Sequence, residues 1–388
     1  MSSVGNSLVS ALFGTKGQIG VNRGIAEFHA RRPVRIAGGG ETLLALPVEG
    51  LDAQRLAEFM TLCAPVVPRL VITARRALAL DLDATAPVAL CLNGGVGVDE
   101  ILALVADAKM GRPVDVMSTG PAAMAAIQLA KLSQGLPAVL VADVAAGAVI
   151  ATEPHIITVE ADAVAHFGAE VIRSLAIASK ALVPLDSGRR AWFVVFRDAM
   201  GGSPAAIIVG KPDFSKPVLV RLHSACLTGD VFGSRRCDCG DQLRLAIKRL
   251  EENGGGIIVY LAQEGRGLGL ANKMRTYQMQ DDGLDTVDAN TTLGFDDDER
   301  CYGVAARMLQ MLDCHRVVLL TNNPAKLDGL AKSGIEITGR MPLEAPVNPD
   351  NLRYMTAKAS RAGHHLNHVL ASLVEPSDAE RDVAPLAP

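Results

Sequence analysis

Cys226, Cys237 and Cys239 fall within one short stretch, CLTGDVFGSRRCDCG. Residues two apart in extended backbone point to the same face, so Cys237 and Cys239 can reach one ion. The loop between them and Cys226 is long enough to bring the first thiol back. Three thiolates suit a borderline-soft ion such as Zn²⁺. Three protein ligands with an open fourth position is the pattern of a catalytic zinc site, whereas structural sites are closed by four. Such an ion lowers the pKa of its water and polarises a carbonyl or imine carbon. The competing reading is a buried small residue beside a coincidental Cys-Asp-Cys pair. His223 could close the site as a fourth ligand, but a histidine ending a strand more often serves as a hydrogen-bonding partner. Cys63, Cys91, Cys301 and Cys314 read as packing residues.

Three further stretches carry polar chemistry. In QEGRGLGL, residues 263–270, glycines after a strand expose backbone N–H groups. There Arg266 can pair bidentately with phosphate oxygens, and Glu264 could help hold Mg²⁺ on them. A glycine-rich turn with a surface salt bridge explains the same residues. In DDDERCYG, residues 296–303, acidic groups at a helix start are favoured by the macrodipole. That accounts for Asp296 and Asp297 but not for Arg300. In TNNPAK, Pro324 can open a helix, and Thr321 and Lys326 either bind a ligand or belong to ordinary capping. A three-thiolate metal, a phosphate-type loop and two polar strand ends together imply hydrolysis of a phosphorylated substrate.

The elements that must position these groups read as α/β (α+β) in two domains. Before residue 185, the runs PVRIA, RLVITA and AVLVAD alternate with Ala-rich helical stretches such as VDEILALVADAKMG, with Ile101, Leu102, Val105 and Met110 at helical spacing. WFVVF and AAIIVG are strands around AMGGSP, a hairpin connection. The second half repeats strand, loop and helix: PVLVRLH before the cysteines, GDQLRLAIKRLEENGG with Leu243, Ile247 and Leu250 on one face, and GIIVYLA before QEGRGLGL. A helix with Val304, Met308, Met311 and Leu312 follows, then VVLL before TNNPAK. Polar residues gather at strand ends, where open α/β sheets bind ligands. The expected division is a flexible leader over 1–20, one domain over 21–185, a second over 190–374 with LDSGRR at the boundary, and a disordered tail over 375–388.

The chain has 388 residues, 49% of them apolar, and a formal charge of −4, which excludes a global electrostatic footprint for nucleic acid. No apolar run reaches the ~20 residues of a membrane span; LPAVLVADVAAGAVIA is interrupted by Asp143. The N-terminus lacks a secretory pattern, and seven thinly spread cysteines suit a reducing cytoplasm. HHLNH, residues 364–368, reads as a solvated helix face.

The motifs RLHSACLTGDVFGSRRCDCGDQL, YLAQEGRGLGLANKMRTYQMQDDGLDTVDAN, LGFDDDER and LLTNNPAKLDGL, in this order, resemble GTP cyclohydrolase II over residues 190–370. That resemblance implies opening of the imidazole ring of GTP, with release of formate and pyrophosphate, at the start of riboflavin biosynthesis. It implies that Cys226, Cys237 and Cys239 hold one zinc per chain, whose water attacks the ring carbon. It makes Asp298 the proton acceptor, Arg300 the group that attacks or stabilises the α-phosphorus, and Tyr277 a participant in ring opening. It places Arg221, Leu222, His223, Ser224, Ala225, Gln242, Glu264, Gly265, Arg266, Thr286, Thr321 and Lys326 on GTP, with Mg²⁺ on the triphosphate, and it implies a homodimer. Ala225 departs from the pattern, which has Glu there. Two readings stand beside this one. The first is a paralogue running the same ring opening in uracil-nucleotide breakdown. The second is a catalytically impaired regulatory protein that binds nucleotide.

The first half resembles dihydroxybutanone phosphate synthase at GIAEFHARRPVRIAGGGETLLALP and HIITVEADAVAHF. The acidic run expected after the first strand is replaced by AGGGETLLALP, and Glu41 alone cannot supply the metal ligands of that rearrangement. An inactive domain, retained for folding, dimerisation or regulation, is expected.

Overall fold

The computed structural model describes residues 14–92, 95–107, 115–144, 155–352 and 354–356. Most of the expected leader, the expected tail, Met110 and HHLNH lie outside these residues. Two seven-stranded sheets carry the chain.

The first sheet contains β1 (Val34–Gly38), β2 (Glu41–Pro47), β3 (Arg69–Ile72), β4 (Val88–Cys91), β5 (Val116–Ser118), β6 (Ala138–Asp143) and β7 (Thr158–Glu160). Their spatial order is β5-β4-β3-β6-β2-β1-β7. Every pair is antiparallel except β1 with β7. Gly39 and Gly40 join β1 to β2 with φ of 62° and 81°, the backbone a tight two-residue hairpin demands. The inner strands β2, β3, β4 and β6 read as nearly unbroken apolar runs because both faces are covered, whereas the edge strand β5 is exposed. Leu43, Ala45, Val71, Val139 and Val141 enter one core, while Leu44, Leu46, Leu70, Ile72 and Leu140 enter the other.

The helices of this region are α1 (Lys16–His29), α2 (Ala53–Cys63), α3 (Ala74–Ala79), α4 (Val98–Ala106), α5 (Pro121–Leu132) and α6 (Ala161–Ser174). Helix α1 begins inside the stretch expected to be a leader. Thr15 caps it by accepting from Gln18 N, and Val21, Ile25 and Phe28 are buried. Only three apolar side chains carry the docked face, so the helical period is faint in the sequence. In α4 the buried residues are Ile101, Leu104 and Val105, with Leu104 rather than Leu102 facing inward.

The second sheet contains β8 (Ala176–Pro184), β9 (Arg190–Arg197), β10 (Ala205–Gly210), β11 (Val218–Ser224), β12 (Gly255–Leu261), β13 (Arg316–Leu320) and β14 (Glu336–Met341), in the order β14-β13-β11-β12-β10-β9-β8. β13 runs parallel to both β11 and β14. β9 and β10 are neighbours, as the hairpin reading requires. LDSGRR is the turn between β8 and β9, closed by Leu185 N to Arg189 O at 2.7 Å, so this sheet already begins at Ala176. Turn residues look the same whether they end a domain or a strand.

The later helices are α7 (Cys239–Glu252), α8 (Leu270–Asp281), α9 (Thr286–Thr292), α10 (Gly303–Met311) and α11 (Pro324–Lys332). Packing groups the chain differently from its sheets. One compact unit takes residues 1–180, 195–205 and 261–307; the other takes 181–194, 206–260 and 308–388. Leu268, Leu293 and Phe295 accordingly join the first unit's core, among Leu44, Leu70 and Leu140.

Candidate functional site

The expected site residues divide between the two units. In the second, β11 delivers Arg221, Leu222, His223 and Ser224 to the cysteine loop, and a π-type turn at Leu227–Val231 folds Cys226 back toward α7. The ligand sulfurs of Cys226, Cys237 and Cys239 lie within 4.8 Å of one another. Cys226 Sγ is 3.7 Å from Cys237 Sγ. Among the described residues this is the only such cluster of metal-ligating groups. Hydrogen bonding to Cys226 comes first in pushing the Cys237 thiol up to about 11, and Cys239 is raised well above its ordinary value by both neighbours and by burial. The raised Cys237 and Cys239 thiols favour their protonated forms unless a cation is among them, and a divalent cation is what the three-sulfur donor set fits.

Gly229 shapes the cradle. A Cβ built there would lie 2.9 Å from Cys237 Sγ and 3.1 Å from Cys226 Sγ. Gly229→Ala is therefore expected to displace the sulfurs and lower zinc stoichiometry at limiting metal, as read by metal analysis after gel filtration.

Asp230 organises the wall behind Cys226. It accepts from Cys226 N at 3.0 Å and from Tyr260 Oη at 2.9 Å, and both its oxygens lie 3.0 Å from His223 Nε2. His223 stacks on Tyr260 with ring centroids 5.5 Å apart. Burial lowers the His223 pKa, against the pull of Asp230. His223 thus donates from Nε2 to a carboxylate and stands outside the thiol cluster, which favours the hydrogen-bonding alternative. Its Nδ1 and Ser224 Oγ are buried without a hydrogen-bond partner. Two orphaned polar atoms beside Ala225 fit a polar ligand, since burial without a partner is costly.

A second relay links strand to cysteines. Arg221 donates to Leu320 O at 3.1 Å and to Gln242 Oε1 at 2.5 Å, and Gln242 donates to fully buried Asp238 at 2.6 Å. Lys326, also buried, donates to Leu222 O at 2.7 Å. Thr321 Oγ1 accepts from Asn323 N at 3.0 Å, and Asn323 caps α11 ahead of Pro324. Arg221 to Ser224 and Thr321 stand at the carboxyl ends of the parallel strands β11 and β13. This is the edge where such sheets take ligands.

The remaining expected residues lie in the first unit. Glu264–Gly267 form a tight turn in which Gly265 and Arg266 have φ of 63° and 61°. A left-handed arginine is uncommon, and such strain concentrates at functional sites. Glu264 is ion-paired with buried Lys273 at 2.7 Å. Lys273 also lies 5.6 Å from the ring centre of half-buried Tyr277, on α8. Arg300 grips Asp298 through Nε at 2.7 Å and Nη2 at 2.6 Å. Burial pushes the Asp298 carboxyl up, but the Arg300 hydrogen bonds and charge, with Arg266, outweigh it and hold the carboxyl below its usual range. Arg266 donates to Asp297 O at 3.3 Å, and Glu299 N donates to Arg266 O at 3.1 Å, so the two loops fix each other. Thr286 opens α9, and its side chain lies outside the described residues.

The other cysteines differ among themselves. Burial raises Cys63 and Cys314 to about 11, which suits packing residues, whereas Cys301 is exposed. Asp230, Tyr260 and Asp238 were missed. None has a spacing signal, because each acts through a partner distant in sequence or through burial.

A cradle of three thiols at the edge of a parallel strand pair, beside buried Arg221 and Lys326, is a group of donors that could hold a thiolate-bound metal on an α/β frame. The GTP cyclohydrolase II family model matches residues 177–342. GTP cyclohydrolase-2 of Azospirillum brasilense is 42% identical over 362 residues, covering 89% of this chain and 93% of that protein. The chain belongs to the GTP cyclohydrolase II family and is a hydrolase. Riboflavin biosynthesis protein RibBA of Bacillus mycoides is 51% identical over 162 residues, 42% of this chain and 41% of that one. A solved two-domain dihydroxybutanone phosphate synthase from A. baumannii covers 84% of the chain at 15% identity, with a TM-score of 0.30 that carries no argument here.

Proposed function

We propose that the chain hydrolyses GTP, opening its imidazole ring to give formate, pyrophosphate and a ribosylated diaminopyrimidinone phosphate at the start of riboflavin biosynthesis. The observation that carries this reading is the cluster of three sulfurs within 4.8 Å, built from cysteines of the family motif. Cys226, Cys237 and Cys239 would hold one zinc, which supplies an activated water and polarises the attacked ring carbon. Arg221 to Ala225, with Gln242, Thr321 and Lys326, would orient the nucleotide, spending remote binding energy on placement of the ring. Arg266 would pair with phosphate oxygens that Mg²⁺ accompanies, with Glu264, Gly265 and Thr286 around them. Asp298, kept ionised by Arg300, would accept a proton at neutral pH. Arg300 would act on the α-phosphorus, and Tyr277 would assist ring opening.

In this reading residues 21–185 are a degenerate synthase-like domain without activity of its own, residues 190–374 form the cyclohydrolase, and the enzyme is a cytoplasmic homodimer. No helix among the described residues is long and apolar enough to cross a membrane. Purified protein with Zn²⁺ and Mg²⁺ is expected to release one formate and one pyrophosphate per GTP. Absence of formate under zinc-replete conditions would refute the proposal. Ala225, beside the unpartnered Ser224 hydroxyl, favours one second reading, the same ring opening on another nucleotide. Turnover of UMP in place of GTP would establish it.

A further inference from the structure

The N-terminal half, which lacks the chemistry of the synthase it resembles, makes a set of contacts with the segment that presents Asp298 and Arg300. Lys131, near the end of α5, places Nζ 2.6 Å from Glu299 Oε1 and 3.8 Å from Asp296 Oδ2. The Lys131 and Glu299 side chains are only 16% and 20% exposed, so water screens this pair less than an ordinary surface pair. Glu299 is the residue between Asp298 and Arg300, and the same Oε1 accepts from Asp296 N at 2.9 Å. One carboxylate oxygen thus ties the loop to itself and to α5. Lys131 also lies 6.0 Å from the ring centre of buried Phe295. On the other side Arg75 pairs with Asp296 at 2.8 Å.

Upstream, Arg76 is 1% exposed. It donates to Ala103 O, Leu104 O and Asp107 O at the end of α4, and to Thr292 O, the last residue of α9, at 2.9 Å. Carbonyls at a helix C-terminus lack partners within the helix and favour a cation, so one guanidinium joins two helix ends. Thr73 Oγ1 donates to Gly294 O at 2.7 Å. On α8, Asn272 Nδ2 donates to Gln134 O and Gly135 O, and Arg275 pairs with Glu49 at 2.6 Å.

The loop from Gly294 to Arg300 runs between α9 and α10 without a regular hydrogen-bond ladder of its own. Its shape therefore depends on what it is tied to: the Arg266 turn on one side, and Thr73, Arg75 and Lys131 of the N-terminal half on the other. We infer that the N-terminal half is a working part of the cyclohydrolase, and that Lys131 is a positioning residue that orients the Asp298–Arg300 pair through Glu299. This rests on the reading of Asp298 and Arg300 given above. Lys131 touches neither residue, and its effect passes through the carboxylate between them.

The test compares the full chain, zinc-loaded, with Lys131→Met, Lys131→Arg, Glu299→Gln and the double variant Lys131→Met/Glu299→Gln. Formate release from GTP is measured together with deuterium uptake of the peptide covering 295–302. Misplacing a reacting group by about 1 Å costs about 100-fold in rate. Lys131→Met is expected to lower kcat by about 10- to 100-fold at unchanged zinc content, with KM for GTP moving less. Faster uptake in the peptide should accompany this. Lys131→Arg should recover most of kcat, and the double variant should be no worse than the poorer single one. Wild-type kcat in Lys131→Met would overturn the inference, whatever the uptake. If the wild-type chain releases no formate, the functional reading falls by itself, and uptake then decides. Faster exchange in Lys131→Met upholds the buttress and unchanged exchange refutes it. Should Lys131→Met not fold, Arg75→Gln, at a solvent-open pair on the same loop, is judged by the same two readouts.

Discussion

Cys237→Ser is expected to remove the bound zinc and GTP turnover together. Changes one shell beyond a metal's ligands cost about 10- to 100-fold in affinity or activity, so loss of a ligand should exceed about 100-fold. The thiols' own chemistry gives a second observable. Cys237 is pushed up to about 11, first by its hydrogen bond with Cys226, and Cys239 is raised well above its ordinary value by its hydrogen bonds with Cys226 and Cys237 and by burial. Each must lose its proton to ligate, so zinc uptake releases protons and affinity rises with pH across the neutral range. Metal analysis and calorimetry in buffers of different ionisation enthalpy would read both effects. A Cys237→Ser protein that keeps stoichiometric zinc and full formate release would place the metal elsewhere.

Asp298→Asn is expected to lower kcat by about 10²- to 10⁴-fold, the range for a positioned acid or base, while zinc content stays unchanged. The pH dependence follows from the sign of the shift. Burial raises the Asp298 carboxyl, but Arg300 and Arg266 outweigh it and hold the folded value below the ordinary one. The ionised form therefore persists through neutral pH. Activity and stability that depend on it are present above the ordinary value of ~3.9 and are lost only as pH falls through the lowered one. Arg300→Gln removes the bidentate grip, so the acid limb of the Asp298-dependent profile should move upward. A wild-type acid limb above the ordinary carboxylate range, unmoved by Arg300→Gln, would assign it to another group.

How far each feature was legible depended on whether its cause is local. The Cys-Asp-Cys pair, the Pro324 helix start and the hairpin between β9 and β10 rest on neighbours in the chain, and the structure contains the cluster, the helix and the adjacent strands. Helix α1 was hidden because its buried face is sparse. LDSGRR was ambiguous because a turn carries the same residues at a hairpin as at a boundary. Asp230 gave no signal, since its meaning lies in Tyr260 and His223, brought together by β11 and β12.

The sequence by itself determined the chemistry available. It supplied three thiols at a ligating spacing, a glycine-rich turn after a strand, and an acidic run that carries Arg300. The resemblance those motifs carry agrees with the family to which the chain belongs. Only the tertiary structure decided which groups share a wall and what holds them. It set His223 on Asp230 rather than among the thiols, gave Glu264 to Lys273, and packed residues 261–307 into the same unit as the N-terminal half. The physical reason is that ligand types are written in the order of residues. Burial, counter-charges and the partners of backbone carbonyls are settled only when distant segments close over one core, as Arg76 shows where it joins Thr292 to the end of α4.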